Sequence, residues 1–291
     1  MELKGIITAL ITPFDDKDDI DFTTLEKFLD YQLECGVHGF VPMGSTGEFY
    51  AMTAQERADV LKCVQQKVGK RALLIAGTNG GSTREVIQHT ETAKRLGYNV
   101  VLLPPPYYCL PTQQELVAHY KSVLEAVDVE IVLYNFPLRA GVEIGYEVMD
   151  ALADNPRVIA IKESSSNLVR AIEINRRYQG KLQLSCGSDD QAFDFFVWGA
   201  ASWICGPANC LAQPAVKFYR AFVSGDLKGA QAIMRKMYPA MANLESGRFV
   251  QKVKYGCELV GLPVGNPRRP LLPLGAADKE EFARQLAAAI A

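Results

Sequence analysis

The sequence has few of the residues and patterns that mark metalloproteins, disulfide-rich proteins, nucleic-acid binders or membrane proteins. Its seven cysteines are odd in number and form no CxxC pair, so we expect reduced thiols. His38, His89 and His119 have no metal-ligand spacing to another His or Cys, and no metal site is expected. The net charge of -2 lacks the basic excess of a nucleic-acid binder. No apolar run approaches the roughly 18 residues of a membrane span.

The start of the chain also lacks the pattern of a secretory signal. Its apolar run is short, Pro13 interrupts it, and acidic residues follow between Asp15 and Asp19. Together with cysteines that we expect to be reduced, this pattern favours a cytoplasmic protein with no membrane partner and no nucleic-acid partner.

Eight short apolar runs are present, and they alternate with longer amphipathic segments. Apolar residues make up 48% of the 291 residues, which is enough for a large core. An α/β barrel needs about 250 residues. The runs are nearly continuous, as in parallel strands that are covered on both faces. They span Gly5–Thr12, Gly39–Met43, Ala72–Gly77, Asn99–Leu103, Ile131–Asn135, Val158–Lys162, Leu182–Gly187 and Ser202–Gly206.

The segments between these runs carry signals for helix starts. Thr53, Ser82 and Thr112 each precede a glutamate by three residues, and each predicts a capping box. Asp189 follows the seventh run and is a candidate N-cap. Helix starts are therefore predicted after the second, third, fourth and seventh runs.

Strand–helix alternation repeated eight times predicts an α/β fold, a closed (β/α)8 TIM barrel. A doubly wound open sheet is the alternative, but its usual Gly-rich fingerprint is missing after the first strand. We expect residues 1–212 to form the catalytic barrel, with an eighth helix that extends to about residue 224. Residues 225–291 are then a C-terminal helical bundle, with helices over 227–245, 249–259 and 279–290.

One lysine stands out among the residues that end the predicted strands. Active sites of (β/α)8 barrels lie at the carboxyl ends of the strands, and Lys162 ends the run Val158–Lys162. Desolvation there disfavours the ammonium, and a neutral amine can attack a ketone to form an iminium. A lysine that reaches solvent or pairs with Glu163 is the alternative that this run leaves open.

Other polar residues follow the neighbouring predicted strands. Tyr134 could relay protons or simply pack in the barrel. The turn that contains Ser45 and Thr46 offers backbone N–H groups and two hydroxyls, which suit a carboxylate. Arg139 could bind a second carboxylate or be solvated. Tyr108 follows three prolines and could form a lid, a subunit contact or ordinary surface packing.

Taken together, these motifs resemble the dihydrodipicolinate synthase/N-acetylneuraminate lyase family over the whole chain. The resemblance rests on the ordered set GSTGE (44–48), PPYY (105–108), YNFP (134–137), IKE (161–163) and GSDD (187–190). It implies a (β/α)8 barrel with a C-terminal helical region and a homotetramer built as a dimer of dimers. It also implies that no cofactor is needed, because a small 2-oxo acid substrate is bound covalently through Lys162.

The resemblance further implies roles for single residues. Lys162 corresponds to the Schiff-base lysine, and Tyr134 to the tyrosine that relays protons. Ser45 and Thr46 lie in the motif that binds the carboxylate of the 2-oxo acid, and Thr46 continues the relay.

Three further positions match the synthase branch of the family. Tyr108 corresponds to a tyrosine that enters the active site of a neighbouring subunit. Arg139 corresponds to the arginine that binds the carboxylate of aspartate semialdehyde, and the Gly187 backbone lines the pocket near the Schiff base. We do not expect feedback inhibition by lysine. Residues such as Phe49 and Tyr50 stand where the lysine-inhibited synthases have polar or histidine side chains that contact the inhibitor.

The function implied by the resemblance is a class I lyase that condenses pyruvate with L-aspartate 4-semialdehyde. The runner-up hypothesis keeps the Schiff base and changes the substrate. It is a catabolic aldolase, dehydratase or deaminase for a sugar-derived 2-keto-3-deoxy acid, N-acetylneuraminate or a hydroxyproline-derived pyrroline carboxylate. Ser45, where the synthase pattern has threonine, and the run Ser164–Ser166 leave it open. A non-catalytic binding barrel is the third hypothesis.

Overall fold

The computed structural model describes residues 2–291 and contains eight parallel strands. The strands are hydrogen-bonded in chain order and close into a barrel, so the predicted α/β class and (β/α)8 architecture are confirmed. The strands are β1 (Gly5–Ala9), β2 (Gly39–Val41), β3 (Leu73–Gly77), β4 (Val100–Leu103), β5 (Glu130–Asn135), β6 (Val158–Glu163), β7 (Gln183–Cys186) and β8 (Ser202–Cys205).

Twelve α-helices lie within residues 2–291. They are α1 (Phe22–Glu34), α2 (Ala54–Val68), α3 (Thr83–Arg95), α4 (Gln113–Ala126), α5 (Pro137–Ala140), α6 (Tyr146–Leu152), α7 (Leu168–Tyr178), α8 (Ala192–Val197), α9 (Ala208–Val223), α10 (Leu227–Glu245), α11 (Phe249–Leu259) and α12 (Ala276–Ile290). The predicted C-terminal helices are present, and α10 and α11 have the predicted bounds. None of these helices combines the length and the apolar character that crossing a membrane requires.

Two compact units can be distinguished along the chain. One contains the residues up to Lys4 and Leu74–Ile204, and it holds β4 to β7 with their helices. The other contains Gly5–Leu73 and Cys205–Ala291, and it holds β1, β2 and the C-terminal helices. The division predicted from the sequence, with a barrel to residue 212 and a helical region from 225, stays a prediction.

The strands of the first unit are buried on both faces, which explains their continuous apolar runs. Val101, Leu133 and Ile161 have no exposed surface, and they lie on three successive strands. The parallel register between β5 and β6 pairs Leu133 with Ile161, and one residue later it pairs Tyr134 with Lys162. The packing of an apolar sheet therefore sets the position of the two candidate catalytic residues.

Helix caps follow the predicted chemistry at two of three positions. Thr53 and Thr112 each form a complete capping box at the start of α2 and α4. Ser82 accepts a hydrogen bond from the Glu85 N–H, but the Glu85 carboxylate accepts from the N–H of Gly81. The box predicted at Ser82 is therefore incomplete, because the glutamate binds one residue earlier in the chain.

The prediction that Asp189 caps a helix is wrong. Asp189 begins a short 3-10 turn, and the N-cap of the following helix α8 is Gln191. The Asp189 carboxylate instead accepts a hydrogen bond from the Trp203 indole at 2.7 Å, and both side chains are buried. A buried indole N–H needs an acceptor, and this long-range need outweighs the local capping preference.

His119 makes the stability of the fold depend on pH. It is 4% exposed on α4, its Nδ1 lies 2.9 Å from Thr83 Oγ1, and burial lowers its pKa to about 4. The unfolded chain, with a histidine pKa near 6.5, binds the proton first as the pH falls. We therefore expect the free energy of unfolding to fall by about 2 kcal/mol between pH 7.5 and 5 from this group.

Urea unfolding of the wild-type protein and of His119→Gln at both pH values tests this expectation. Glutamine does not titrate and can still bind Thr83, so the variant should lose less stability on acidification. Equal losses in the two proteins would contradict the assignment to His119.

Candidate active site

Lys162 and Tyr134 form a buried pair at the carboxyl ends of β6 and β5. Lys162 is 7% exposed and Tyr134 is 5% exposed. The Lys162 Nζ lies 4.3 Å from the centroid of the Tyr134 ring. The structure thus brings together an amine and a phenol-bearing ring away from bulk water, which is the arrangement that imine chemistry with a local proton relay requires.

Gly187 leaves space beside the lysine. Its N–H donates to the Glu163 carbonyl at 2.9 Å, so the segment after β7 runs close to the end of β6. A Cβ on Gly187 would lie 2.8 Å from the Glu163 carbonyl oxygen and 2.9 Å from Lys162 Cε, and it would overlap the Ser164 hydroxyl. Only glycine fits at this position.

Ser164 is a buried polar residue beside Gly187 to which the sequence assigns no role. Ser164 is 4% exposed, and among the described residues its hydroxyl oxygen has no hydrogen-bond partner. The same holds, within residues 2–291, for Asp190 Oδ1. Burial raises the pKa of Asp190. The signal that could have found Ser164 is its position two residues after the lysine.

Cys186 lies at the end of β7 and is fully buried. Burial, reinforced by the Asp189 carboxylate, raises the pKa of its thiol well above the ordinary value. A thiol that stays protonated is a poor nucleophile, so Cys186 does not compete with Lys162.

Arg139 and Tyr108 are exposed residues on surface segments. Arg139 is exposed on α5, and its guanidinium carbon lies 5.3 Å from the centroid of the Phe136 ring. Tyr108 is 95% exposed, and its φ of 73° lies in the left-handed region. Leu138, which precedes Arg139 on α5, is 89% exposed. Tyr108 and Leu138 are large exposed side chains of a kind that subunit contacts cover.

Ser45 and Thr46 lie in the other unit, in a tight turn that follows β2. The Gly47 N–H donates to the Gly44 carbonyl at 3.0 Å, and the Glu48 N–H donates to the Ser45 carbonyl at 3.2 Å. Thr46 is buried and Ser45 is half-buried. The turn is therefore compact, and the N–H groups of Gly47 and Glu48 are paired within it.

Glu48 anchors this turn to the C-terminal region. It is fully buried with a φ of 60°, and its Oε1 lies 2.8 Å from Lys254 Nζ. Its Oε2 accepts from the Arg268 N–H at 2.9 Å, and Lys254 also donates to the Asn266 carbonyl at 3.0 Å. Burial raises the pKa of Glu48 and lowers the pKa of Lys254, and their mutual attraction opposes both shifts. This anchor has no signal in the sequence, because Lys254 and Arg268 lie about 200 residues from Glu48 along the chain.

The described part of the chain contains no group of three or more His, Cys, Asp or Glu side chains arranged to hold a metal ion. The expectation of a site without a metal is compatible with this finding and stays a prediction.

Comparison with known proteins gives consistent results. The model of the Dihydrodipicolinate synthetase family matches residues 2–289. A 4-hydroxy-tetrahydrodipicolinate synthase from Geobacter metallireducens is 36% identical over 284 residues, which cover 96% of this chain and 96% of that protein. Another from Pelobacter propionicus is 36% identical over 280 residues, with 95% of both chains covered.

Solved structures agree with the sequence relatives. The chloride inhibited dihydrodipicolinate synthase from Acinetobacter baumannii, complexed with pyruvate, has a TM-score of 0.95 and 31% identity, with 99% of both chains covered. The 4-hydroxy-tetrahydrodipicolinate synthase from Methylacidiphilum fumariolicum SolV has a TM-score of 0.95 and 29% identity, covering 99% of this chain and 96% of that one. The chain, a lyase, therefore belongs to the dihydrodipicolinate synthetase family, as its motifs predicted.

Proposed function

We propose that the protein condenses pyruvate with L-aspartate 4-semialdehyde through a Schiff base on Lys162. The observation that carries the proposal is the buried Lys162 amine, 4.3 Å from the centroid of the Tyr134 ring. The names of the sequence relatives support the reaction, and the pyruvate in the Acinetobacter structure supports the first substrate. Family enzymes act through a Schiff base without a cofactor, which excludes the hypothesis of a non-catalytic barrel.

In the proposed reaction, the neutral Lys162 amine attacks the ketone carbon of pyruvate, and the carbinolamine loses water to give an iminium. Loss of a methyl proton gives an enamine, and its terminal carbon attacks the aldehyde carbon of the second substrate. The amino group of that substrate then attacks the imine carbon, which closes the ring and releases the Lys162 amine by transimination. Tyr134 accepts and returns the protons of these steps.

The remaining residues have supporting roles in this proposal. Ser45 and Thr46 bind the pyruvate carboxylate, which the compact turn around them supports. The Gly187 backbone lines the space beside the imine, and Arg139 binds the carboxylate of the second substrate. Thr46 also continues the proton relay.

We further propose a homotetramer in the cytoplasm, built as a dimer of dimers, in which Tyr108 enters the active site of a neighbouring subunit. The exposure of Tyr108 and Leu138 supports this assembly, because a single chain leaves both side chains uncovered.

Arg139→Ala should separate the two half-reactions. A lost charge-assisted pair with the second carboxylate corresponds to a 10- to 50-fold loss, about 1.4–2.3 kcal/mol, in condensation kcat/KM for the aldehyde. The pyruvate adduct that borohydride traps on Lys162 should stay near the wild-type level. Arg95→Ala removes an exposed arginine of α3 and is the matched control. Equal damage to the adduct and to the condensation would contradict this role of Arg139.

The catabolic alternative keeps a specific observation in its favour. The buried Ser164 hydroxyl has no hydrogen-bond partner among the described residues and lies beside Gly187, where a substrate hydroxyl would satisfy it. Turnover of 2-keto-3-deoxy sugar acids or pyrroline carboxylates, with no condensation of aspartate semialdehyde, would favour this alternative. Ser164→Ala should then lower that turnover and leave the pyruvate adduct unchanged.

A further inference from the structure

A buried polar cluster lies directly behind the candidate catalytic pair. Its centre is Glu163, which follows Lys162 on β6 and has no exposed surface. The Glu163 carboxylate accepts from Asn135 Nδ2 at 3.0 and 2.9 Å, from the Ser165 N–H at 2.7 Å and from Arg170 Nε at 3.0 Å. We call Asn135, Glu163 and Arg170 the Glu163 cluster.

The cluster joins the two strands that carry the catalytic pair. Asn135 follows Tyr134 on β5, and the register pairs Tyr134 with Lys162 and Asn135 with Glu163. Successive side chains of a strand point to opposite faces of the sheet. The amide–carboxylate bonds between Asn135 and Glu163 therefore hold the two strand ends together on one face, while the amine and the phenol lie on the other.

The same cluster holds the segment that follows Arg139. Asn135 Oδ1 accepts from the Ile144 N–H at 2.9 Å, and the Arg170 guanidinium donates to the Ile144 carbonyl. A further ion pair links Arg170 Nη1 to Glu143 Oε2 at 3.4 Å. Three side chains thus fix both the register of β5 on β6 and the position of the segment that follows α5.

Stability alone does not explain such a cluster. Glu163 is fully buried and Arg170 is 5% exposed, so both charges lose their hydration on folding. A protein with a buried ion pair is often no more stable than the same protein with apolar side chains of similar size in that place. What a fully satisfied polar cluster does provide is a fixed geometry, because each donor and acceptor has one direction.

We infer that Asn135, Glu163 and Arg170 are positioning residues, which hold Lys162, Tyr134 and the Arg139 segment in the geometry of the Schiff-base reaction. This inference rests on the proposed function. If it is correct, disrupting the cluster lowers the reaction rate of each competent active site, and not only the number of folded molecules. Glu163→Gln with Arg170→Met removes both charges together and leaves an amide oxygen as acceptor for Ser165 and Asn135, so no unpaired ion is buried.

Two measurements on this double variant test the inference. Borohydride trapping with pyruvate counts the competent sites, and exchange of the pyruvate methyl hydrogens in D2O reports enamine formation without the second substrate. We expect the exchange rate per trapped site to fall about 10- to 100-fold, the scale of a misplaced reacting group. Arg170→Lys keeps a positive charge beside Glu163 but loses the directed guanidinium bonds, so its exchange rate per site should lie between those of the double variant and the wild type. Glu173→Gln, which breaks an exposed ion pair on the same helix, is the control and should behave as wild type.

A wild-type exchange rate per site in the folded double variant would overturn the inference. If the double variant does not fold, the single Glu163→Gln variant takes its place, with the same expected loss and the same overturning result. Failure of the proposed function is distinguishable. Without the Schiff-base step, the wild-type protein would form no pyruvate adduct and show no exchange, and a failure of the condensation alone would leave both signals intact while aspartate semialdehyde is not consumed.

Discussion

Replacing Lys162 by methionine is expected to abolish the pyruvate adduct and to lower condensation by more than about 10^4-fold, the scale of removing a covalent nucleophile. Methionine has a similar length and no amine, so the buried space stays filled. The variant should keep its free energy of unfolding or gain some, because burying a polar amine costs free energy and methionine has none. Mass spectrometry after borohydride reduction with pyruvate would measure the adduct and its position.

The informative alternative outcome is an adduct on another lysine. Lys254 is the strongest rival, because it is 2% exposed and burial lowers its pKa. However, Glu48 lies 2.8 Å from its Nζ, and the Asn266 carbonyl accepts a further bond. An amine held in an ion pair is charged and occupied, so we expect no adduct there. An adduct on Lys254 in the wild-type protein would overturn the mechanism, and Lys121→Met on the exposed face of α4 is the neutral control.

The strands and their order could be predicted because the relevant signals are local. A continuous apolar run needs only its neighbours in the sequence to be recognised, and each of the eight runs contains most of an observed strand. The ends are less well predicted. The run Gly5–Thr12 continues three residues beyond β1, which ends at Ala9, because pairing with adjacent strands decides where a strand ends. The Thr53 and Thr112 caps were predictable for the same local reason.

The site could be predicted only in part. The sequence placed Lys162 and Tyr134 at strand ends, and their adjacency followed once β5 and β6 were known to be neighbours. The closeness of Gly187 to Lys162 Cε has no local signature. The hydrogen bond that the Trp203 indole donates to Asp189, in place of the predicted helix cap, has no local signature either. Such contacts join residues from different strands, and a pattern of hydrophobicity along one segment does not report them.

The contacts of the Glu163 cluster could not be predicted from the sequence either. The sequence analysis named Glu163 only as a possible partner of Lys162. The structure pairs it with Arg170 at 3.0 Å, on the helix that follows β6. Alternation along the strand separates the two functions, since one face carries the amine and the other carries the carboxylate that fixes the strand. A charged residue next to a catalytic residue can therefore act by holding the strand in position rather than by exchanging protons.

Gly187→Ala tests whether the space beside the amine is required for the reaction. A methyl group there would lie 2.9 Å from Lys162 Cε and 2.8 Å from the Glu163 carbonyl oxygen. The lysine must shift, and a displacement of about 1 Å in a reacting group can cost about 10^2-fold. We expect adduct formation and condensation to fall by at least that factor. Overpacking should lower the free energy of unfolding by about 1–3 kcal/mol.

Two controls separate this steric effect from the effect of adding a methyl group to a glycine. Gly81→Ala lies in the same unit, and its nearest contact would be Glu85 Oε2 at 3.9 Å, so it should leave activity unchanged. Adding Ser164→Ala to Gly187→Ala removes the overlap with the hydroxyl but not the approach to the Glu163 carbonyl, so activity should recover only in part. Quenching with borohydride after short incubations with pyruvate measures the rate of adduct formation. A wild-type rate in Gly187→Ala would mean that β7 can retreat from β6 at no cost, and that the close approach of these strands plays no part in presenting the Lys162 amine.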